Sequence, residues 1–202
     1  MLKKSLMVAS LLLAGTSSVA KDTSKYYIGI GINSGSGIQT RSYSSGGEYE
    51  TEYDASSTNI KFGFLRSDGN RWEINVDTIA ADKTGGSTFN ANTTSNDTSS
   101  EYSGYNLDYL IMFNGEEKLK PYIDLGFGIY NNDEITGYNS STGTAETATG
   151  FALNIGAGLV YAVTNNIEIE GTYKMKSISW NLENPDTSEK INMMYIGTNI
   201  KF

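Results

Sequence analysis

Glu168 and Glu170 are two carboxylates spaced two residues apart, a spacing that could support acid–base chemistry. Side chains two residues apart lie on the same face of an extended strand, so one carboxyl group could act as general acid and the other as general base. The alternative is a structural ion-pair network inside a narrow fold, where unpaired charge is costly. We favour the network, whose predicted cationic members are Lys61, Lys174, Lys176 and Lys201.

The composition restricts catalysis and metal binding. The chain contains no His and no Cys, so it lacks the commonest general base and the usual ligands of transition metals. Asp, Glu or Lys could replace His as a base, but no Ser, Thr or Lys stands out as an activated nucleophile. Calcium in the acidic segments 48–54 or 131–134 remains an open alternative, although neither has a spaced ligand loop. The sequence therefore predicts no enzyme, no cofactor and no metal site.

Three tyrosines, Tyr43, Tyr49 and Tyr53, stand in an otherwise polar segment. Aromatic side chains contribute disproportionately to protein interfaces, so these residues are candidate contacts for a binding partner. The alternating positions of Tyr49, Thr51 and Tyr53 leave a second interpretation open, in which they extend a β-hairpin. The segments 84–100 and 139–150 are rich in Ser, Thr, Asn and Gly, which is typical of solvated loops.

The N-terminus has the features of a removable export signal. Lys3 and Lys4 precede the short apolar run of residues 5–15, and small residues close the segment at Ala20. We predict a signal peptide at 1–20 and a single domain at 21–202. The net charge of −8 argues against nucleic acid as a partner, because phosphate binding requires Lys and Arg. Removing Lys3 and Lys4 makes the charge more negative still.

The mature chain alternates between apolar and polar residues almost throughout, which indicates β-strands. The final segment, for example, sets Met194, Ile196 and Ile200 against Tyr195 and Lys201. Eight such segments occur, with lengths close to the 9–11 residues of a tilted membrane strand. They are residues 26–33, 60–65, 72–80, 105–113, 122–129, 151–161, 167–176 and 193–202.

The predicted connections alternate in length. Short turn-forming clusters occupy 67–70, 114–117 and 164–166, whereas the other four connections are long. The long connections are residues 34–57, 82–100, 131–149 and 181–189. This pattern predicts an all-β fold: an antiparallel, up-and-down transmembrane β-barrel of about eight strands with short periplasmic turns and long extracellular loops.

Glycine and charge decide which face of the barrel is interior. Glycines fall repeatedly on the polar face, where a crowded barrel interior requires small residues. The same face carries charges of both signs, and the apolar positions of the strands carry none. The predicted interior set is Lys61, Glu73, Asp77, Asp108, Asp124, Glu168, Glu170, Lys174, Lys176 and Lys201. The apolar face is therefore expected to meet lipid.

Aromatic residues near the strand ends predict two interfacial girdles. Tyr105 and Phe151 lie near the loop end, and a larger group lies near the turn end: Tyr26, Phe64, Trp72, Phe113 and Phe202. Trp180 does not fit the apolar parity of its strand. We therefore expect the chain to bulge there or to have left the membrane.

The last eight residues resemble the β-signal of outer-membrane barrels, in which a glycine and spaced apolar residues precede a terminal Phe. The matching positions are Tyr195, Gly197, Ile200 and Phe202. With the predicted leader and eight strands, the chain resembles the small barrels that include OmpX, OmpW and the opacity proteins. The resemblance implies a Gram-negative outer-membrane location, export through the periplasm, and contact with lipid, lipopolysaccharide and the barrel-assembly machinery.

Members of these families serve in adhesion, stress protection or small-solute passage, so the fold leaves function open. Our leading hypothesis is a non-enzymatic barrel that supports envelope integrity or contacts extracellular ligands and surfaces through its loops. The alternative is a narrow, porin-like channel for ions or small solutes, since Gly-rich walls and an acidic excess could leave a thin path for cations.

Overall fold

The computed structural model describes residues 25–86, 99–113, 118–138, 145–182 and 185–202. The predicted signal peptide at 1–20 lies outside these residues. The described chain forms eight strands, and no helix in this part of the chain is long and apolar enough to cross a membrane. The strands are β1 Tyr26–Ser42, β2 Glu48–Leu65, β3 Arg71–Gly86, β4 Ser99–Met112, β5 Leu119–Tyr138, β6 Ala145–Ala162, β7 Ile167–Trp180 and β8 Asp186–Lys201.

The strands form a closed barrel in which each strand pairs antiparallel with its neighbours in sequence. The ring closes where β1 pairs with β8, with Tyr27 opposite Lys201 and Ser42 opposite Asp186. Each of the eight described strands therefore pairs with a neighbour on both sides, so the sheet has no open edge strand in this part of the chain. The predicted antiparallel, up-and-down barrel of eight strands is confirmed.

The strands are longer than predicted, at 14 to 20 residues. The expected long connection at 34–57 is wrong, because β1 continues to Ser42 and β2 starts at Glu48. Strand also replaces parts of the predicted loops at 82–100, 131–149 and 181–189. These extensions have few alternating apolar residues, but backbone pairing continues, as between Gly37 and Tyr53. The connections at 87–98 and 139–144 lie outside the described residues.

In the part of the barrel nearer the turn end, the apolar and polar faces have the predicted orientation. Many large apolar side chains point outward and are well exposed, from 39% at Phe64 to 65% at Ile196. At several glycines of the polar face, the ring of an inward tyrosine lies where a side chain would be. A β-carbon at Gly63 would overlap the Tyr27 ring, to which Gly63 is paired across the strands. Gly allows these rings to lie flat against the barrel wall.

This polarity reverses near the loop end, where an apolar cluster fills the interior. The cluster is Tyr53, Ala55, Ile79, Ala81, Tyr102, Tyr130, Ala148, Ala152, Ile178, Trp180, Ile191 and Met193, which we call the aromatic plug. Outward residues at this level include Asp54, Asp82 and Lys190, all exposed. On β2, β3 and β8 this apolar cluster therefore lies behind an outer surface that carries charge, whereas on β6 the exposed Phe151 and Leu153 flank its member Ala152.

Trp180 belongs to the aromatic plug, and the expectation of a bulge there is wrong. β7 keeps a regular register from Ile167 to Trp180, and the ring of Trp180 is 3% exposed. Its position has the inward parity of Glu168, which is why it did not match the outward apolar residues. A second, smaller apolar cluster lies nearer the turn end and contains Leu110, Tyr122 and Val160 with Met112 packed against them.

Candidate functional site

The barrel interior on the turn side of the aromatic plug holds buried ion pairs that link distant strands. Lys61 on β2 pairs with Glu73 on β3 at 3.2 Å and with Glu170 on β7. Tyr27 donates a hydrogen bond to Glu73, and Asn199 donates one to Glu170 at 2.8 Å. All these side chains are buried, so each carboxylate has several donors in place of water.

Nearer the turn end, Arg71 and Glu168 form a two-point ion pair across the barrel, with nitrogen–oxygen distances of 2.8 and 3.0 Å. The guanidinium of Arg71 also lies 5.1 Å from the centre of the Tyr27 ring. Lys201 and Lys120 approach the same carboxylate at 3.4 and 3.5 Å. Glu168 is therefore the centre of a cluster that joins β3, β5, β7 and β8.

Two lysines of β7 bind aspartates rather than the glutamates proposed as their partners. Lys174 lies 2.7 Å from Asp108 and 2.6 Å from Asp124. Lys176 lies 2.6 Å from Asp77 and contacts the hydroxyl of Tyr130. The pairing follows from position along β7, because Glu168 and Glu170 lie nearer the turn end and pair with Arg71 and Lys61.

All ten residues of the predicted charge network point inward, and each takes part in an ion pair. The interpretation of Glu168 and Glu170 as a network fits this geometry, since the two carboxylates are held by separate cations, Arg71 and Lys61. Sequence reasoning missed Arg71 and Lys120. Arg71 is two residues before Glu73, so extending the alternation by one position identifies it as inward.

A small polar cavity of about 30 Å³ lies among these charges, lined by residues that include Lys61, Asp77, Asp124 and Lys174. This volume is room for about two water molecules. The Oδ1 atom of Asp124 is buried and has no hydrogen-bond partner within the protein. The cavity therefore has room for water or another small polar species.

Glu189 is a buried carboxylate that contacts residues of the aromatic plug. The sequence analysis did not identify it. Tyr102 donates to it at 2.7 Å, Trp180 donates through its indole N–H at 3.1 Å, and Tyr53 donates a third hydrogen bond. The residue is 1% exposed. These neutral donors connect β2, β4, β7 and β8 at the loop end of the barrel.

The three candidate contact tyrosines differ in their exposure. Tyr43 is 37% exposed in the β1–β2 connection, and its ring packs edge-on against Tyr49 at 5.3 Å. Tyr53 is wrong as a surface contact, because it points inward and its hydroxyl binds Glu189. The alternative interpretation, that Tyr49, Thr51 and Tyr53 extend a hairpin, is confirmed.

The turn end contains the β2–β3 turn and the predicted assembly signal. In the turn, Asp68 accepts hydrogen bonds from the backbone N–H of Asn70 at 3.0 Å and from Arg66. Desolvation acts in the opposite direction, but the hydrogen bonds from Asn70 and Arg66 and the Arg66 charge together lower the pKa of Asp68. In the predicted assembly signal, Tyr195 and Gly197 point inward, and Ile200 and Phe202 point outward. The role of these residues in assembly stays a prediction.

Among the side chains that the structure describes, no three His, Cys, Asp or Glu residues are grouped so that they could hold a metal ion. The acidic segment 48–54 is part of β2, where Glu50, Glu52 and Asp54 project from the outer surface. The predicted calcium alternative at 48–54 therefore has no ligand cluster.

Comparisons with known proteins agree with this architecture. The family model described as outer membrane protein beta-barrel domain matches residues 6–202. No protein with a curated description matches the sequence. The crystal structure of Neisserial surface protein A is similar, with 18% identity and a TM-score of 0.52 over 88% of this chain and 97% of that one. This likeness shows a shared fold.

Two further solved structures are similar at lower scores. Ail, the attachment invasion locus protein of Yersinia pestis, has 16% identity and a TM-score of 0.36, over 85% of this chain and 98% of that one. The outer membrane enzyme PagL has 13% identity and a TM-score of 0.42, over 82% of this chain and 97% of that one.

Proposed function

The chain belongs to the outer membrane protein β-barrel domain family and lies in the bacterial outer membrane, and on this premise we propose a non-enzymatic role in surface contact and envelope integrity. The barrel acts as a sealed support that presents its loop end to extracellular ligands or surfaces. Lipid and lipopolysaccharide surround the wall, and the barrel-assembly machinery receives the C-terminal strand.

The observation that carries this proposal is the filled interior. The aromatic plug closes the loop end of the barrel, and the cluster around Leu110, Tyr122 and Val160 narrows the turn end. Ion pairs such as Lys61 with Glu170 fill the interior beside this second cluster, whose Val160 is paired with Glu170. An interior filled in this way supports a structural platform rather than a transport path.

The loop end supplies a surface for contact. β1 and β2 pair as far as Ser42 and Glu48, beyond the outward apolar residues of the same strands. Tyr43 is exposed at the tip of this hairpin, next to Tyr49. A rigid hairpin with an aromatic tip binds with less loss of conformational entropy than a flexible loop does.

The charged interior supports the non-enzymatic assignment. Glu168 and Glu170 are buried and held by cations, and the cavity beside Lys61 has room for about two water molecules. A nucleophile would also need an activating base within hydrogen-bond reach. The chain has no His to provide one.

The test replaces residues 43–47 by Asn-Gly, which favours a tight hairpin turn. Cells that display the parent or the shortened barrel are then compared for adhesion to immobilised extracellular matrix. We expect unchanged gel mobility before and after boiling, which reports assembly, together with reduced adhesion. Double substitution of Tyr43 and Tyr49 by Ser tests the aromatic tip alone. Unchanged adhesion in both variants would contradict a contact role for this hairpin.

The polar cavity favours one second candidate, a narrow channel for ions. Its lining of carboxylates and lysines could form part of a hydrated path if the aromatic plug opened. Recording in planar bilayers distinguishes the two functions. We expect no stable conductance from the parent protein, and a large, stable conductance would favour the channel.

A further inference from the structure

Three lysines around the polar cavity pair with five carboxylates. Lys61 and Lys174 each pair with two carboxylates, and Lys176 pairs with one. The cations nearer the turn end pair instead with Glu168. This layer of the interior therefore carries two more negative than positive charges when every group in it is ionised. Its carboxylates are Glu73, Asp77, Asp108, Asp124 and Glu170.

Burial makes this excess of negative charge costly. Each of the five carboxylates is at most 6% exposed, and an ionised group away from water needs both a cation and hydrogen bonds. Where two carboxylates share one cation, repulsion between them favours a proton on one of the two. Lys174 holds such a pair, since its ammonium group contacts both Asp108 and Asp124. A proton on one of these two acids would halve the excess charge.

Asp124 has fewer hydrogen-bond donors than Asp108. Its Oδ2 atom lies 2.6 Å from Nζ of Lys174, whereas its Oδ1 atom is buried and has no hydrogen-bond partner within the described residues. Asp108 accepts from the side-chain amides of Asn75 at 2.8 Å and Asn154 at 3.2 Å in addition to Lys174. Donors to a carboxylate stabilise its ionised form. Of the two acids, Asp108 is therefore the better held as an anion.

The other three carboxylates of the layer also have neutral donors besides their lysines. Asp77 accepts from Asn59, Asn106 and Tyr130, Glu170 accepts from Tyr122 and Asn199, and Glu73 accepts from Tyr27. Asp124 is thus the member of the layer whose ionised form has the least support from its surroundings.

Asp124 also lines the cavity, which has room for about two water molecules. We propose that Asp124 holds a proton in the assembled barrel and that its O–H group donates to water in this cavity, while Asp108 stays ionised. The carbonyl oxygen of the protonated acid still accepts from Lys174. β6 faces Asp124 with Gly156. The charged and titratable groups around the site are Lys61 on β2, Glu73 and Asp77 on β3, Asp108 on β4, Tyr122 on β5, Glu170, Lys174 and Lys176 on β7, and Tyr195 on β8.

The bound proton makes the barrel sensitive to alkaline pH. An aspartate in the unfolded chain is ionised at neutral pH, so folding takes a proton up at Asp124. A folded state that binds more protons than the unfolded state loses stability as the pH rises. Asn at this position has no such proton to lose, so Asp124→Asn should remove this part of the pH dependence.

Infrared spectroscopy tests the proton directly. The mature protein is labelled with aspartate that carries carbon-13 in its side-chain carboxyl group. It is folded into vesicles of ether-linked phosphatidylcholine, whose lipids contribute no ester carbonyl band, and heat-modifiable gel mobility confirms assembly. A protonated carboxyl group gives a carbonyl stretching band separate from the bands of ionised carboxylates, and the isotope shift distinguishes aspartate from glutamate.

We expect an isotope-shifted band from the parent protein at neutral pH and its loss in Asp124→Asn. The band should disappear at alkaline pH, where the urea midpoint of the parent should fall relative to that of Asp124→Asn. At neutral pH Asp124→Asn should keep the parent midpoint, because one neutral group replaces another, whereas Asp108→Asn should lower it. Asp54→Asn, on the exposed outer face of β2, is the control and should change neither the band nor the midpoint.

Absence of the band from the parent protein would overturn the proposal, because all five carboxylates would then be ionised, with or without a small cation in the cavity. A band that persists in Asp124→Asn would also overturn it, since the proton would belong to another aspartate. An Asp124→Asn chain that does not assemble, or whose midpoint is as low as that of Asp108→Asn, would show that the fold needs a charge at this position and would contradict the proposal.

Discussion

Arg71 and Glu168 face each other across the interior and are joined by two hydrogen bonds, although 97 residues separate them in the chain. Both side chains are almost completely buried. Two-point pairing satisfies both carboxylate oxygens and fixes the orientation of the guanidinium plane. The pair therefore ties the start of β3 to the start of β7.

Arg71→Ala should strongly lower the stability of the assembled barrel. The substitution leaves Glu168 buried with only the more distant Lys120 and Lys201, and breaking such a pair costs about 3–5 kcal/mol. Urea unfolding in lipid vesicles measures the loss. Arg66→Ala is the matched control, because its partner Asp68 is solvent-exposed, and it should leave the midpoint unchanged. Equal midpoints for the two variants would show that the interior is hydrated at Arg71.

Lys174→Ala should destabilise the barrel more than Lys83→Ala. Lys174 forms ion pairs with both Asp108 and Asp124, whereas the side chain of Lys83 is exposed on β3. Lys174 is partly exposed to the cavity, so we expect about 3 kcal/mol, the lower end for a buried pair. Lys176→Ala should act similarly through Asp77. The midpoint of heat-induced mobility change would rank the variants, and no difference from Lys83→Ala would refute the paired interior.

Gly63→Ala should weaken the barrel by steric overlap. The added methyl group would enter the Tyr27 ring, and overpacking of this kind costs about 1–3 kcal/mol. Gly171→Ala is the control, because a β-carbon there meets only an ordinary contact, the carbonyl oxygen of Tyr195 at 3.9 Å. Urea midpoints in vesicles compare them. Tyr27→Ala combined with Gly63→Ala should show coupling between the two sites, and simple additivity would argue against the overlap.

Glu189→Gln should loosen the loop end of the barrel. In glutamine an NH2 group, which is a donor, replaces one accepting carboxylate oxygen. It would then face one of the donors of Tyr53, Tyr102 or Trp180. An unsatisfied buried group costs about 1–3 kcal/mol. The exposed Glu48→Gln is the control. A red shift in the emission of Trp180, measured with Trp72 replaced by Phe, would report a wetter plug, and an unchanged spectrum and midpoint would contradict the prediction.

Alternation in the sequence predicted the part of the barrel nearer the turn end well, because each strand position there faces either lipid or the barrel interior. Residues such as Phe62 must meet lipid, and residues such as Lys61 must meet the interior. Gly63 indicated that the barrel interior is crowded, because a lipid-facing position would not require a residue without a side chain. These constraints identified the face of every charged residue in the predicted network.

The same rule failed near the loop end, for a physical reason. On β2, β3 and β8 the outer surface beside the aromatic plug is polar, so the polar face can be outside and the apolar face inside. Ile178 and Trp180 are inward like Lys176, yet they are apolar. A sequence rule with one fixed polarity therefore misplaced Trp180 and did not find Glu189. A switch in parity between Met175 and Ile178 is the signal that could have revealed the plug.

Closure between β1 and β8 has a consequence for the order of folding. Tyr27 pairs with Lys201, so the contacts that seal the ring join residues from opposite ends of the chain. Such long-range contacts carry the largest entropic cost and are expected to form late. Lys201 also brings its charge to Glu168 at that step. A chain without β8 would expose two unpaired strand edges and would leave the Glu168 carboxylate without the nearby charge of Lys201. Assembly should therefore be cooperative, with ring closure and the pairing of interior charges completed together.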